Sequence, residues 1–222
     1  LAEDRSEVEQ IVEQSGWTSV RYLEDLGLLS PRVLAAHVVW PADGEIELLS
    51  EYGVGVAHCP QSNMKVAAGI APVPAMIAAG VAVGIGTDGA ASNNDLNLWE
   101  EIDTAAKLHK VNTLDPTVVN ARQALRMATI EGARAMGLET EIGSLEVGKR
   151  ADVIIVGSDR VHQQPNYDPY SLLVYSTKAS DVETVIVDGR VVVDDGRVLT
   201  LDRREVLEKT AEYQRLVADL GR

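Results

Sequence analysis

The sequence predicts an α/β protein that combines half of a (β/α)₈ barrel, a small antiparallel β segment and a terminal helix. Over the first two-thirds of the 222 residues, short β-branched runs alternate with helical stretches. Such alternation favours a parallel sheet with helices around it. Each of three predicted strands leads into a polar residue, as at the active-site end of a barrel. These strands are too few to close a barrel, so half of one is expected.

The barrel part is predicted over residues 1–138. Ser6 and Glu9 have the spacing of a capping box for the first helix. Asp115 followed by Pro116 is a typical helix start. A longer helix between them carries a stripe of residues at helical spacing, namely Leu98, Ile102, Ala105 and His109. The predicted strands are 33–39, 54–58 and 81–86, and the predicted shorter helices are 18–27, 43–53 and 72–79.

After Gly137 the pattern changes to short strands joined by tight turns. Asp188-Gly189 and Asp195-Gly196 are typical of type I′ hairpins. We therefore predict an antiparallel segment over residues 139–201, with strands at 151–156, 182–187 and 190–193. An amphipathic helix is expected over 202–222, where Asp202 and Glu205 have capping-box spacing.

Composition excludes several classes of partner. A formal charge of −14 argues against a nucleic-acid surface and against an anionic membrane face. No apolar run reaches the roughly 20 residues needed to cross a bilayer. The single cysteine, Cys59, rules out an internal disulfide and favours a reducing compartment, so a cytoplasmic location is expected. The sequence begins without Met, so the lack of a signal peptide carries little weight.

The polar residues at the three strand ends are His37, His58 and Asp88. Taken singly, each histidine is more often a core residue bonded to a backbone carbonyl, and the aspartate is as often a helix cap. Taken together they converge, because the carboxyl ends of parallel strands meet at one edge. Two histidines and a carboxylate suit zinc or iron(II), which can supply hydroxide at neutral pH. A neighbouring carboxylate can accept and return the proton.

Three segments resemble the amidohydrolase superfamily, and more narrowly its 5′-methylthioadenosine/S-adenosylhomocysteine deaminases and chlorohydrolases. Besides His37, they are AHCPQSNMKVAAGIAPVPAM (57–76), GTDGAASNNDLNLWEE (86–101) and IGSLEVGKRADVIIV (142–156). The last is similar to the segment that leads into the family's small β-sandwich. The resemblance implies the C-terminal half of a (β/α)₈ TIM-like barrel, followed by part of a small β-sandwich and a terminal helix.

The resemblance also implies roles for individual residues. His37 resembles the metal ligand at the end of barrel strand five, and His58 the strand-six histidine that activates water or polarises the substrate. Asp88 resembles the strand-eight aspartate, which binds the metal, contacts the substrate and shuttles protons. Some relatives carry a proton-handling glutamate three residues after the strand-five ligand, but Trp40 stands there, where it is expected to wall the substrate pocket or simply pack. Residues 1–3 resemble the segment after a strand-four histidine.

The implied reaction is hydrolytic deamination of a small purine nucleoside-type substrate, with Zn²⁺, or alternatively Fe²⁺, as cofactor. The family's paired metal histidines from strand one are absent from the sequence. We therefore expect this segment alone to be inactive, with a missing N-terminal half or partner subunit completing the site, and a homo-oligomer when complete. The alternatives are a chlorohydrolase, a guanine-type deaminase, or a non-catalytic fragment that pairs through its open sheet edge.

Other signals are weaker. Gly84, Gly86 and Gly89 match a dinucleotide fingerprint, but no helix opens immediately and Asp88 lies inside the turn. Cys59 has no cysteine partner at metal-ligand spacing. His109 and His162 are judged poor ligand candidates from their helical and loop contexts.

Overall fold

The computed structural model describes residues 1–220 and confirms an α/β fold. These residues divide into two compact units. The first comprises residues 1–149 and 159–179, and the second comprises 150–158 and the residues from 180 onward. The predicted boundaries at residues 138 and 201 stay predictions.

The first unit is built around a parallel sheet. Its strands are β1 (Leu34–Ala36), β2 (Gly55–His58) and β3 (Val83–Ile85), and they lie side by side in sequence order. Ala35 pairs with Val56, and Ala57 pairs with Gly84. The three strands therefore point the same way, and their carboxyl ends share one edge of the sheet.

Helices connect and flank these strands. Their bounds are α1 Arg5–Ser15, α2 Ser19–Asp25, α3 Glu45–Glu51, α4 Pro60–Lys65, α5 Val73–Ala78, α6 Ala90–Asn93, α7 Leu98–Thr113, α8 Ala121–Met127, α9 Ile130–Ala135 and α10 Pro169–Ser171. A five-residue π-helical segment, Leu172–Ser176, follows α10.

Two predicted helix starts were wrong. Asp4 caps α1, because its carboxylate accepts from the backbone nitrogen of Glu7, and the predicted Ser6 lies inside the helix. Asp115 accepts from Thr117 within a turn, while Asn120 caps α8. In both cases a neighbouring polar side chain made the capping contact, which shows that capping spacing alone does not fix the first residue.

The first strand ends earlier than predicted. The apolar run extends to residue 39, but β1 stops at Ala36 because His37 and Val38 have φ values of 71° and 48°. A left-handed backbone is costly for a β-branched residue such as Val38, so packing must hold it there. Beside this bend run the first residues of the chain: the Leu1 nitrogen donates to Ala36 O, and Val38 N donates to Leu1 O.

The core of the first unit lies between the sheet and its helices. It includes the fully buried Val20, Leu49, Val56, Met76 and Met127. Helix α9 approaches β2 so closely that a Cβ added to Gly55 would lie 1.9 Å from the backbone oxygen of Ala135. Glycine is thus required for this contact.

The second unit contains the predicted antiparallel segment. Its strands are β4 (Val153–Val156), β5 (Val182–Val187), β6 (Arg190–Asp194) and β7 (Arg197–Val198), which pair in that order. Asp188 and Gly189 both have positive φ, as do Asp195 and Gly196, which fits type I′ turns. Helix α11, Arg203–Leu220, has exposed side chains throughout. Among the described residues, no helix has the length and apolar character to span a bilayer.

Candidate active site

The three residues predicted at strand ends lie at the carboxyl edge of the parallel sheet. His37 directly follows β1, His58 is the last residue of β2, and Asp88 lies in the loop after β3. His37 and Asp88 both contact helix α4, through Asn63 and Ser62 respectively, and this helix directly follows the strand that ends at His58. The sheet topology therefore gathers them as expected from parallel strands.

The His37 ring forms one hydrogen bond, through Nδ1. Its Nδ1 lies 2.9 Å from Oδ1 of Asn63, and its Nε2 lies 3.7 Å from Oε2 of Glu3. An amide oxygen can only accept, so Nδ1 donates and the neutral ring keeps its lone pair on Nε2. A histidine arranged in this way can coordinate a metal or accept a proton through Nε2.

Asp88 is held by two hydroxyl groups. Ser92 Oγ and Ser62 Oγ both donate to Oδ2, at 2.6 Å and 2.7 Å. These two bonds, from Ser92 first and then Ser62, lower the pKa of Asp88 below its ordinary value. The carboxylate is therefore ionised at neutral pH and available as a metal ligand or as a proton acceptor.

His58 is paired with a second histidine. Its Nε2 lies 3.0 Å from Nε2 of His109, and both side chains are fully buried. Burial first, and then the charge of His109, lowers the pKa of His58 to about 3. Burial first, and then Lys110, lowers the pKa of His109 to about 4. Both rings are thus neutral, and one of the two Nε2 atoms carries the shared proton.

The helical context of His109 predicts a poor ligand candidate. A signal that could have identified it was present, because His109 continues the stripe of Ile102 and Ala105 and is buried with them, while Leu98 is exposed. Within residues 1–220, neither His58 Nδ1 nor His109 Nδ1 has a hydrogen-bond partner.

A buried carboxylate links the segments that follow β2 and β3. Glu101 on α7 is fully buried, and it accepts from the backbone nitrogen of Gln61 at 3.0 Å and from Nδ2 of Asn93 at 2.5 Å. Burial is the largest cause that raises the pKa of Glu101, to about 7. Sequence reasoning missed this residue, because its two partners become neighbours only in the folded chain.

Trp40 is anchored by several contacts. Its indole Nε1 donates to Ala68 O at 2.7 Å, and the Arg5 guanidinium lies 4.2 Å from the ring centroid. Gly69 lies against the ring, where a Cβ would come within 2.8 Å of Cζ2. The indole is thus engaged in packing, and its contact with a substrate stays a prediction.

The strand numbers drawn from the resemblance were wrong. They placed His58 after strand six and Asp88 after strand eight, but β2 and β3 are directly paired, with no strand between them. If Asp88 follows strand eight, then His58 follows strand seven and His37 follows strand six.

The described residues do not form a complete metal site by themselves. Among the described residues, no group of three or more His, Cys, Asp or Glu side chains could hold a metal ion. His37 Nε2 and the Asp88 carboxylate fit a zinc-type donor set, but zinc is usually bound by three or four ligands. Any such centre would need further ligands from outside this sequence.

Comparison with known proteins gives consistent matches. The chain is 51% identical over 216 residues to the 5-methylthioadenosine/S-adenosylhomocysteine deaminase of Syntrophomonas wolfei, covering 97% of this chain and 50% of that protein. It is 53% identical over 208 residues to the 5′-deoxyadenosine deaminase of Methanosarcina barkeri, and this match covers 94% of this chain and 48% of that protein.

Among solved structures, the adenosine deaminase of Xanthomonas campestris with bound zinc superposes with a TM-score of 0.95 at 37% identity. That match covers 98% of this chain and 50% of the other. The chain thus spans about half the length of the relatives it matches. The model of the amidohydrolase family matches residues 1–192, which include His37, His58 and Asp88. The chain belongs to the amidohydrolase family.

Proposed function

We propose that this chain supplies part of the active site of a metal-dependent aminohydrolase. Its substrates would be purine nucleosides of the methylthioadenosine and S-adenosylhomocysteine type, which lose ammonia on hydrolysis. The observation that carries the proposal is the placement of His37 and Asp88 at one edge of a parallel sheet, each with an atom left open for chemistry. The names of the two deaminases at about half identity support the substrate class.

The proposal includes the finer architecture. The three parallel strands would be the last three of a (β/α)₈ barrel, and the antiparallel sheet would be part of a composite β-sandwich. A preceding polypeptide or a partner subunit would supply the other strands and the remaining metal ligands. The supporting fact is that the match to each relative covers about half of it. A cytoplasmic location and a homo-oligomeric assembly belong to the same proposal.

Zinc is the proposed metal, with iron(II) as the alternative. The bound zinc in the adenosine deaminase from Xanthomonas campestris supports this choice. When bound, such a metal lowers the pKa of water to about 7 and so supplies hydroxide at neutral pH. Asp88 would be a ligand from this chain. His37 would be a second ligand through Nε2, or would serve at the strand-six position by orienting the water.

The remaining roles concern protons and substrate. Asp88 would accept the proton of the attacking water and pass it towards the leaving ammonia. Glu3 would assist, because its carboxylate lies 3.7 Å from His37 Nε2. His58 would act only through Nδ1, since its Nε2 is engaged by His109. Trp40 would wall the substrate pocket.

The test uses the intact gene product that carries this chain. It is incubated separately with methylthioadenosine, S-adenosylhomocysteine, guanine and a chlorotriazine, and released ammonia and chloride are measured. We expect ammonia from the two adenosine compounds. Chloride from the triazine, or ammonia from guanine alone, would replace the proposal with the corresponding alternative, and no product from any of them would favour a non-catalytic fragment.

Asp88→Asn provides the matching variant. Loss of a proposed ligand should lower ammonia release at least about 100-fold, since even outer partners of metal ligands are worth about 10- to 100-fold. Asp195→Asn is the control, because Asp195 also has positive φ but lies in a hairpin turn of the second unit. The 222-residue segment alone should show negligible activity and weak zinc affinity. Stoichiometric tight zinc in that segment, measured by elemental analysis, would contradict this expectation.

A further inference from the structure

Two adjacent side chains of α4 contact both His37 and Asp88. Ser62 Oγ donates to Asp88 Oδ2 at 2.7 Å, and Asn63 Oδ1 lies 2.9 Å from His37 Nδ1. Both Ser62 and Asn63 are buried, with 0% and 1% of their surface exposed. Nothing in the sequence pattern assigned a role to either residue.

The position of α4 explains how neighbouring residues reach two separate loops. Helix α4 follows β2, which is the central strand, so it begins between the segments that leave β1 and β3. Consecutive residues of a helix with about 3.6 residues per turn point in directions roughly 100° apart. Ser62 can therefore contact the loop after β3 while Asn63 contacts the residue after β1.

Each contact leaves one defined atom open. Because the amide oxygen of Asn63 accepts, His37 Nδ1 carries a proton, so Nε2 is the nitrogen that holds the lone pair whenever the ring is neutral. At Asp88, Ser62 and Ser92 both donate to Oδ2, which occupies the acceptor sites of that oxygen. Oδ1 is then the oxygen left for a metal or a proton.

We propose that Ser62 and Asn63 act together as positioning residues, which fix in advance the His37 nitrogen and the Asp88 oxygen that face the reaction. The inference rests on the proposed function for the identity of the site. It goes further by assigning the choice of reacting atoms to one dipeptide of α4. Neither residue needs to touch the substrate for this role.

The Asn63 contact is tested by the tautomer of His37. Ring nitrogen signals of the intact gene product in ¹⁵N NMR should show His37 as the Nδ1–H tautomer, assigned by comparison with His37→Gln. Asn63→Leu removes the acceptor and should shift His37 towards the Nε2–H form or a mixture. Asn63→Asp keeps an acceptor oxygen and should restore Nδ1–H. An Nε2–H tautomer in the wild type, which requires no variant, would overturn the inference.

The Ser62 contact is tested by the affinity of the intact gene product for Zn²⁺, added without substrate and measured by competition with a chromophoric chelator. Ser62→Ala should weaken binding by about 10- to 100-fold, the range found when partners of metal ligands are removed. Ser50→Ala is the matched control, because it deletes a hydroxyl that donates to Ala79 O at 2.6 Å, away from the site. We expect the control to bind Zn²⁺ as the wild type does.

The outcomes separate this inference from the proposed function. If the wild type binds Zn²⁺ tightly and Ser62→Ala binds it equally well, the positioning role is refuted while the aminohydrolase proposal stands. If the wild type binds no Zn²⁺ and releases no ammonia, the proposed function fails, and the His37 tautomer alone then decides whether Asn63 fixes the ring.

Discussion

The buried carboxylate of Glu101 should contribute stability that is lost as the pH rises. Burial raises its pKa from the ordinary value of 4.5 to about 7. Between these two values the folded state binds more protons than the unfolded state, so the free energy of unfolding decreases with increasing pH. The stabilisation is fully present below pH 4.5 and is lost as the pH passes through about 7.

The size of the stability change follows from the width of the pH interval between 4.5 and about 7. Each pH unit inside it is worth about 1.4 kcal/mol. The pI of about 4.7 makes measurements near pH 4.5 impractical, because proteins precipitate near zero net charge. From pH 5.5 to pH 8 the accessible loss is therefore about 2 kcal/mol, since the slope ends near pH 7.

The assay compares urea unfolding of the wild type with that of Glu101→Gln at several pH values. The variant has no titrating group at this position, so the difference in unfolding free energy isolates Glu101 from the other carboxylates. Gln61 N and Asn93 Nδ2 are both donors, so the glutamine must turn its own NH₂ group towards one of them. This adds a roughly constant 1–3 kcal/mol cost but no pH slope.

The control is Glu47→Gln, the same substitution at an exposed position of helix α3. It should leave the pH dependence of stability unchanged. If the difference between wild type and Glu101→Gln is independent of pH, or grows as the pH rises, the attribution of a raised pKa to the buried carboxylate is refuted.

Two other predictions follow from the same interior. His58 and His109 should both remain neutral at pH 5 in ¹⁵N NMR, because burial lowers their pKa values to about 3 and about 4. The stability that these two residues contribute is present above pH 6.5 and is lost as the pH falls. A ring that titrates near pH 6.5 would contradict this prediction. Gly55→Ala should lower the free energy of unfolding in urea by about 3 kcal/mol, because the added Cβ would overlap the backbone oxygen of Ala135. Gly89 has open space around it, so Gly89→Ala should change the free energy of unfolding by less than about 0.5 kcal/mol.

Much of the fold could be predicted from periodicity and turns. Most residues of β2 and β3 are buried, so these strands read as continuous apolar runs, and the hairpins carry Asp-Gly pairs that tolerate positive φ. The ends of elements were less accurate. The first strand stops at Ala36 because the backbone bends at His37 and Val38, and no apolar pattern reports such a bend.

The candidate site was predictable only in part. His37, His58 and Asp88 could be grouped because parallel strands place their carboxyl ends at one edge. Most of their partners could not, because those contacts join distant parts of the chain: His58 contacts His109, 51 positions away, and Asp88 accepts from Ser62, 26 positions away. The strand numbers failed because the sequence does not show that β2 and β3 pair directly.

The distribution of buried polar groups is itself an argument about the site. Such groups cost stability unless they are paired, and an apolar core of equal volume is often more stable. In the first unit, His58, His109, Asn63 and Glu101 are nonetheless buried around the carboxyl edge of the sheet. A fold selected for stability alone would place apolar side chains there, like those of the hydrophobic core that contains Val56. Their concentration at this edge supports the proposed function, in which this region sets protonation states and holds reacting atoms.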